Sequence, residues 1–402
     1  MTRTETAGNR GEGVRSDCYV SLTLTRDTGR KVNLHSKVKV LYGNSIRKLC
    51  QDMLDFYGIS NGVLDIEDSG ALPFVLSARI EAVIRRLVKT DKEYLLPVLP
   101  RNLYSTERDA DRVSRLYLPG NSPKLMINAG IYGSHGIILD LEDSVAPEKK
   151  YEARFLVRNA LRSVDFYGAE RMVRINQLPA GLEDLKFVVR QPVNLILIPK
   201  CETADEVQEV DRSVSDILGG RNDKIHLMPI IESAAGVLHA PEIAGASKNV
   251  VAMAIGLEDY TADIGVQRTA EGHESLFARN MVVNAARAAG IQAIDSVFSN
   301  IDDMEGLEQN VKESKALGFE GMGCIHPRQV PVIHKNFLPG EAEIQKARKI
   351  AVAYEGAIKE SQGVVVVDSR MVDPPVVKRA LRTISQALRA NLISNDWRET
   401  HE

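Results

Sequence analysis

Eight short apolar runs between Leu116 and Ile325 each end in polar or charged residues, and helical segments separate most of them. The runs are RLYLPG (115–120), GIILDLED (136–143), RMVRINQ (171–177), NLILIPK (194–200), HLMPIIES (226–233), VVAMAIGLEDY (250–260), AIDSVFSN (293–300) and GMGCIHP (321–327). Between them lie amphipathic stretches such as EARFLVRNALRSV, ADEVQEVDRSVSDIL and SLFARNMVVNAARAAG. Strand-then-helix units repeated this often predict an α/β fold, a TIM (β/α)8 barrel. The doubly wound alternative needs a GxGxxG turn after its first strand, and the chain has none. Such barrels gather their chemistry at the carboxyl ends of the strands. Acidic residues lie at three of those ends: Asp140, Glu142 and Asp143 in DLED, Glu232 in IIES, and Asp259 in GLEDY. Carboxylates from different strands can hold a divalent cation, so a metal-dependent enzyme is the leading reading.

The chain has 402 residues, room for a barrel of roughly 250 residues and a smaller domain. A formal net charge of −3, with 44% hydrophobic and 26% charged residues, points to neither nucleic acid nor an anionic membrane as a partner. The segment MTRTETAGNRGEG lacks the apolar core of a signal peptide, and no apolar run approaches the ~20 residues of a membrane span. A cytoplasmic protein is expected. Cys18, Cys50, Cys201 and Cys324 lie far apart without a CxxC pair, which favours reduced, packed thiols over disulfides or zinc.

Residues 1 to about 13 read as disordered. From Cys18, CYVSLTLT alternates as a strand does, a turn follows at Asp27 to Gly29, and a second strand surrounds Val32 to His35. Ser45 to Tyr57 and Leu72 to Leu87 have helical spacing, with the strand VLDIEDSG between them. Residues 14–88 thus form a small α+β unit, 89–108 a polar linker, and 109–340 the barrel. Residues 341–402 are a C-terminal extension: a helix over Glu341 to Glu360, a strand over Gly363 to Asp368, a turn at MVDPP and a helix over Val376 to Ala390. It is expected to act as a lid, laid over a neighbouring subunit.

Several residues carry two readings each. Glu232 and Asp259 end adjacent strands and suit Mg²⁺, which takes one or two carboxylates and keeps several waters. Singly, Glu232 could cap the next helix and Asp259 could make a surface ion pair. Asp140, Glu142 and Asp143 fit an outer layer that hydrogen-bonds metal-bound waters. Arg174 alternates with Val173 and Ile175 and should face the barrel interior. There it either grips a substrate carboxylate or pairs internally with DLED. Lys200 either contacts substrate or rims the barrel, and Gly256 is a candidate substrate contact. His326 reads as structural. Asp373, beside Pro374, reads locally as a helix cap, although a raised pKa among apolar neighbours would suit proton transfer.

The stretches RLYLPGN, DLEDSVAPEKK, VRIN, IPKCET, IIESAAG, GLEDY, AIDSVFSN, GFEGMGCIHPRQ and MVDPP fall in one order along the chain. From about Arg112 onward the chain resembles the citrate lyase β subunit, within the malyl-CoA/citryl-CoA lyase superfamily. The resemblance implies Mg²⁺ held at Glu232 and Asp259, a substrate-carboxylate arginine at Arg174, and outer acids at Asp140, Glu142 and Asp143. It also implies a catalytic carboxylate at Asp373, presented by the lid of an adjacent subunit in a trimer or hexamer. Residues 14 to about 88 resemble the citrate lyase acyl carrier (γ) subunit, in RSDCYVSLTL and in the DSGAL turn with its following helix. That family carries a phosphoribosyl-dephospho-CoA arm on a serine two residues before an aspartate. Here Arg15 holds that place and Ser16 directly precedes Asp17. Either Ser16 bears the arm with a one-residue shift, or the unit is unmodified and used for docking.

Two further departures are Val113, where the family has Arg, and Met322, where it has Lys. Both are expected near the entry of a CoA ester, where Arg112 or Arg115 could compensate. The resemblance implies reversible carbon–carbon cleavage of a 3-hydroxyacyl thioester, with citryl thioester giving oxaloacetate and acetyl thioester. The alternatives are a malyl-CoA or citramalyl-CoA lyase with a vestigial carrier unit, or a non-catalytic scaffold that docks other lyase subunits.

Overall fold

The structure, a computed structural model, describes residues 3–26, 29–359, 365–367 and 370–398. Its N-terminal unit is a four-stranded sheet of β1 (Arg3–Gly8), β2 (Cys18–Leu24), β3 (Arg30–Ser36) and β4 (Gly62–Asp68), in the order β1-β2-β4-β3. Two helices, Lys39–Phe56 and Pro73–Leu87, accompany the sheet. Cys18, Val20 and Leu22 alternate inward along β2 and supply its buried face. The expectation of disorder up to about residue 13 is corrected, because Arg3–Gly8 pairs antiparallel with β2 over its whole length. Its sequence, RTETAG, lacks apolar alternation, since only Ala7 and Gly8 at its end are buried. Asp27 and Thr28, from the expected turn, lie outside the described residues.

All eight barrel strands fall within the expected runs or one residue from them. They are β5 (Ser114–Pro119), β6 (Gly136–Asp140), β7 (Glu170–Arg174), β8 (Leu195–Ile198), β9 (His226–Ile231), β10 (Ala252–Ile255), β11 (Gln292–Asp295) and β12 (Gly321–Cys324). Every neighbouring pair is parallel, and β12 closes onto β5. Ile138, Met172, Leu195, Leu197, Met228 and Ile230 fill the interior as a cluster separate from the layer between strands and helices. The strands stop earlier than their apolar runs do. DLED leaves the ladder after Asp140, and GLEDY belongs to a short helix, Leu257–Asp263. Asp259 therefore lies in that helix's first turn, where an acid is favoured, rather than at a strand end.

The N-terminal unit is fixed to the barrel through buried charge. Its Pro73–Leu87 helix packs on the barrel helix Lys150–Ser163. Across that contact Arg158 grips Glu81 with both terminal nitrogens, at 2.9 and 2.6 Å, and both side chains are fully buried. Arg79 grips Asp17 at 3.1 and 3.0 Å and lies 3.5 Å from Glu152. The backbone N–H of Gly8 donates to Glu152 at 2.6 Å. Glu152 is in the first turn after the loop that follows β6, so β1 and Asp17 sit at the rim of the face where the strands end. The 89–108 connection also lies against the barrel: the Leu99 N–H donates to the Arg162 carbonyl and the Tyr104 hydroxyl to the Ala169 carbonyl.

The C-terminal extension has a core of its own, with Ile350, Ala351, Val372, Val377, Ile384 and Trp397. It comprises a helix (Glu341–Lys359), a hairpin of β13 (Val365–Val367) and β14 (Arg370–Val372), and a helix (Pro374–Arg389). The expected turn at MVDPP is corrected, since Met371 and Val372 belong to β14. The extension docks through Arg382 on Glu320 at 2.7 Å and Arg389 on Asp111 at 3.0 Å. Glu320 and Asp111 precede β12 and β5, so this docking lies at the barrel end opposite the strand termini. The four cysteines are free and buried, as expected.

Breaking a buried ion pair from one side leaves an uncompensated charge. Glu81→Ala is expected to lower the unfolding free energy by about 3–5 kcal/mol, read as a fall in the denaturant midpoint. An unchanged midpoint would mean that Glu93, 2.9 Å from Arg158, neutralises the guanidinium by itself.

Candidate active site

Arg174 ends β7 and faces the interior, while Val173 and Ile175 pack outward, as the alternation requires. Its Nε and Nη2 donate to the two oxygens of Asp140 at 2.7 and 2.8 Å, and Nη1 lies 2.8 Å from Glu142 Oε2. The guanidinium carbon sits 5.3 Å from the centre of the Tyr117 ring. Burial would raise the Asp140 pKa, but the Arg174 fork and the Ser144 hydroxyl hold it below the ordinary carboxylate range. The internal pair and the cavity-facing arginine, read as competitors from sequence, are both present. A substrate carboxylate reaching Arg174 would displace part of that pairing.

Lys200 follows β8 with φ +48°, a conformation uncommon outside glycine. The bend sends its two nitrogens to different acids. The backbone N–H donates to Glu232 Oε1 at 2.6 Å, while Nζ lies 2.9 Å from Glu142, 3.5 Å from Asp143 and 3.4 Å from Asp259. Burial raises the Glu232 pKa to about 7 despite that N–H bond, and the Asp259 and Glu142 charges add to the rise. Glu142 is likewise raised by burial, against the pull of Arg174 and Lys200. Glu232 does not cap the next helix; Ser233 does, accepting from the Gly236 N–H. A Cβ on Gly256 would lie 2.3 Å from Glu232 Oε2, so only glycine leaves that carboxylate in place.

Asp140, Asp143, Arg174, Glu232, Gly256 and Asp259 line one cavity of about 380 Å³ at the carboxyl ends of the strands, together with Tyr117, Ser144 and Arg115. Glu232 and Asp259 both border it, and Lys200 touches both acids. No group of three or more His, Cys, Asp or Glu placed to hold a metal is found among the described residues. Two hard carboxylate donors with room for water are nonetheless the set that Mg²⁺ accepts. An ammonium drawn in among Glu142, Asp143 and Asp259 marks the place as one where a cation is favoured.

Other expected residues lie elsewhere. Asp373 caps the Pro374–Arg389 helix, accepting from the Val376 N–H, and does not line its own chain's cavity. Ser16 is half-buried with φ +56°, its N–H on the Ser69 carbonyl, beside the Asp17–Arg79 pair. His326 accepts from the Arg328 N–H within a turn. The expectation that Val113 and Met322 stand near a thioester entrance is corrected. Val113 precedes β5 and Met322 is the second residue of β12, so both are buried at the far end of the barrel. Arg112 is there too, held by Glu170 at 2.7 and 2.8 Å. The sequence did not point to Tyr117 or Ser144, and it offered Arg115 only as a compensating charge at a CoA entrance. Arg115 and Tyr117 share the inward face of RLYLP by the same alternation that identified Arg174.

Comparisons with known proteins identify the family. Residues 113–327 match the family described as HpcH/HpaI aldolase/citrate lyase. Residues 4–87 match the acyl carrier family described as malonate decarboxylase delta subunit. The chain is 40% identical to citrate lyase subunit beta of Leuconostoc mesenteroides subsp. cremoris, over 71% of this chain and 96% of that protein. It is 31% identical to the mitochondrial citramalyl-CoA lyase of Homo sapiens, over 74% of this chain and 92% of that one. The crystal structure of protein CitE from Mycobacterium tuberculosis, in complex with magnesium, acetoacetate and coenzyme A, superimposes with a TM-score of 0.59 at 30% identity. That match covers 70% of this chain and 99% of the other. By the extent of these matches the chain is a carbon–carbon lyase of the HpcH/HpaI aldolase/citrate lyase family, preceded by an acyl-carrier-like unit.

Proposed function

We propose that the protein is a Mg²⁺-dependent lyase that cleaves, or in reverse forms, a citryl thioester, giving oxaloacetate and an acetyl thioester. The observation that carries this reading is the meeting of Arg174, Glu232 and Asp259 on one cavity. Glu232 and Asp259 would hold the ion, with Asp140, Glu142 and Asp143 around it. The ion would act as a Lewis acid toward the substrate hydroxyl and its neighbouring carboxylate.

Arg174 grips the carboxylate on the carbinol carbon and sets that carbon's orientation. Cleavage breaks the bond between the carbinol carbon and the thioester methylene. The hydroxyl loses its proton as its electrons form the new carbonyl. The methylene keeps the bonding pair as an enolate and takes up a proton to become acetyl. Nothing is oxidised or reduced, so no redox cofactor is needed. Asp373 exchanges a proton with the hydroxyl or with the enolate. Its own extension docks at the far end of the barrel, so the carboxylate comes from a neighbouring subunit of a trimer or hexamer.

The carrier-like unit lies at the rim of the active face, so a thioester could reach the cavity from an arm on Ser16 or as free CoA. A second reading, cleavage of malyl-CoA or citramalyl-CoA, is favoured by Arg15 at the attachment place and by the likeness to citramalyl-CoA lyase. Assays of the pure protein with citryl-, malyl- and citramalyl-CoA separate the two.

Glu232→Gln is expected to cut Mg²⁺-dependent turnover by about a hundredfold or more, and equal activity in the variant and wild type would end the catalytic reading of this site. Glu232→Gln and Asp373→Asn are each expected to be inactive alone, and oligomers reassembled from a mixture should regain activity. Mixtures that stay silent would mean that Asp373 does not serve a neighbouring subunit's site. Intact mass of protein from its native host is expected to match the unmodified chain, and an increment on the Ser16 peptide would instead establish a tethered substrate.

A further inference from the structure

Among the described residues, the fully buried arginines other than Arg115 all have oxygen partners. Arg79 pairs with Asp17 and Glu152, Arg112 with Glu170, and Arg158 with Glu81. Arg171 donates to the carbonyls of Pro192 and Tyr104. Arg115 is 1% exposed, yet among the described residues no carboxylate reaches it at ion-pair distance. Its Nε has no hydrogen-bond partner, and its Nη1 finds only the Met228 thioether, at 2.9 Å. A guanidinium held out of water without an anion is strongly disfavoured. Burial accordingly lowers its pKa below the ordinary guanidinium range.

The surroundings are built to admit this side chain. Arg115 is the second residue of β5, and its register neighbours on both sides are glycines, Gly136 on β6 and Gly323 on β12. Along the strand it shares the interior face with Tyr117, and both border the cavity that also holds Arg174, Glu232 and Asp259. Arg174 and Asp140 are the last residues of their strands, whereas Arg115 lies near the start of its own. The cavity thus has one guanidinium at its mouth and a second, unneutralised, toward its floor.

We infer that Arg115 is a specificity-determining residue that receives the second, distal carboxylate of a dicarboxylic 2-oxo acid. A group whose first carboxylate is held by Arg174 must carry another anion at its far end to meet Arg115. The oxaloacetate half of a citryl thioester has such a carboxylate. The glyoxylate half of a malyl thioester has hydrogen there, and the pyruvate half of a citramalyl thioester has a methyl group. Arg115 therefore rewards the citryl substrate and leaves a buried cation unpaired with either smaller one. This inference rests on the lyase reading and names the substrate class within it.

The test is calorimetric titration of freshly dissolved oxaloacetate, pyruvate and glyoxylate, with Mg²⁺ present, into wild type, Arg115→Met and Arg115→Lys. Wild type is expected to bind oxaloacetate about tenfold or more tightly than the other two acids. Arg115→Met should lose that preference with pyruvate affinity unchanged, and Arg115→Lys should keep part of it. Thermal melts report folding, and the lysine variant decides the matter if methionine does not fold. A preference that survives in both variants, or an equal weakening for all three acids, overturns the inference while leaving the lyase reading intact. A wild type that binds none of the three, yet melts cooperatively, defeats the lyase reading and the inference with it.

Discussion

The site depends on the two-pronged contact between Arg174 and Asp140. Both are final residues of adjacent barrel strands in parallel register, so neither can shift without disturbing the ladder that closes the barrel. The fork fixes the guanidinium plane, and Nη1 then holds Glu142, which holds Lys200. Lys200 in turn presents its backbone N–H to Glu232. Residues after four consecutive strands, β6 to β9, are thereby linked into one polar chain. Desolvation raises the stakes along it, because in a low-dielectric pocket each unmatched carboxylate is costly. Glu232 shows the strain most clearly. With only one N–H bond against burial and two neighbouring acids, its carboxyl is raised to about 7. A divalent ion at Glu232 and Asp259 would relieve that strain and free Lys200 from its contact with Asp259.

The same economy explains how a carrier-like unit became a fixed part of an enzyme. A mobile carrier would need an interface that opens. Here the interface contains two arginines that water does not reach: Arg158, neutralised from across the contact by Glu81, and Arg79, which pairs with Asp17 of its own unit and approaches Glu152 across the contact. Separating the units would part Arg158 from Glu81 and Glu152 from Arg79, which makes the N-terminal unit a permanent neighbour of the barrel face where the strands end. Glu152 joins the two regions. It accepts from Gly8 on one side and begins the helix after the DLED loop on the other.

Most of the barrel was legible because a parallel strand covered on both faces must read as an unbroken apolar run. The strand ends were less so. Leu141 in DLED and Leu257 in GLEDY remain buried after the ladder stops, so apolarity continues into loop and helix with no sequence mark at the boundary. β1 escaped because Arg3 and Thr4 are exposed and Glu5 and Thr6 half-buried on an edge strand, where pairing relies mainly on backbone groups. Around the cavity, Arg174, Glu232 and Lys200 stand out in the sequence because charge at or just past a strand end is conspicuous, and Asp259 because its acidic run directly follows an apolar one. The reach of Lys200 does not, since its αL bend is a property of the turn and not of the residue type. The supposed entrance at Val113 and Met322 failed for a related reason, because their place at the start of their strands puts them at the wrong end of the barrel.

Arg115 separates the two kinds of information most sharply. The alternation in RLYLP turns Arg115 and Tyr117 inward together, so the direction of the side chain could be read from sequence. Its lack of an anion could not, because that depends on what eight strands bring to one point. Asp140, Glu142, Asp143, Glu232 and Asp259 are all committed near the mouth, to Arg174, to Lys200 or to the place proposed for the ion. None extends to the floor. A barrel selected for stability alone would fill that position with an aliphatic side chain, as it does at Ile138, Leu195 and Leu197. Keeping a guanidinium there weakens the folded state unless something outside the chain brings the missing charge. In a cavity whose other cation already grips one carboxylate, a substrate with a second is the simplest supplier.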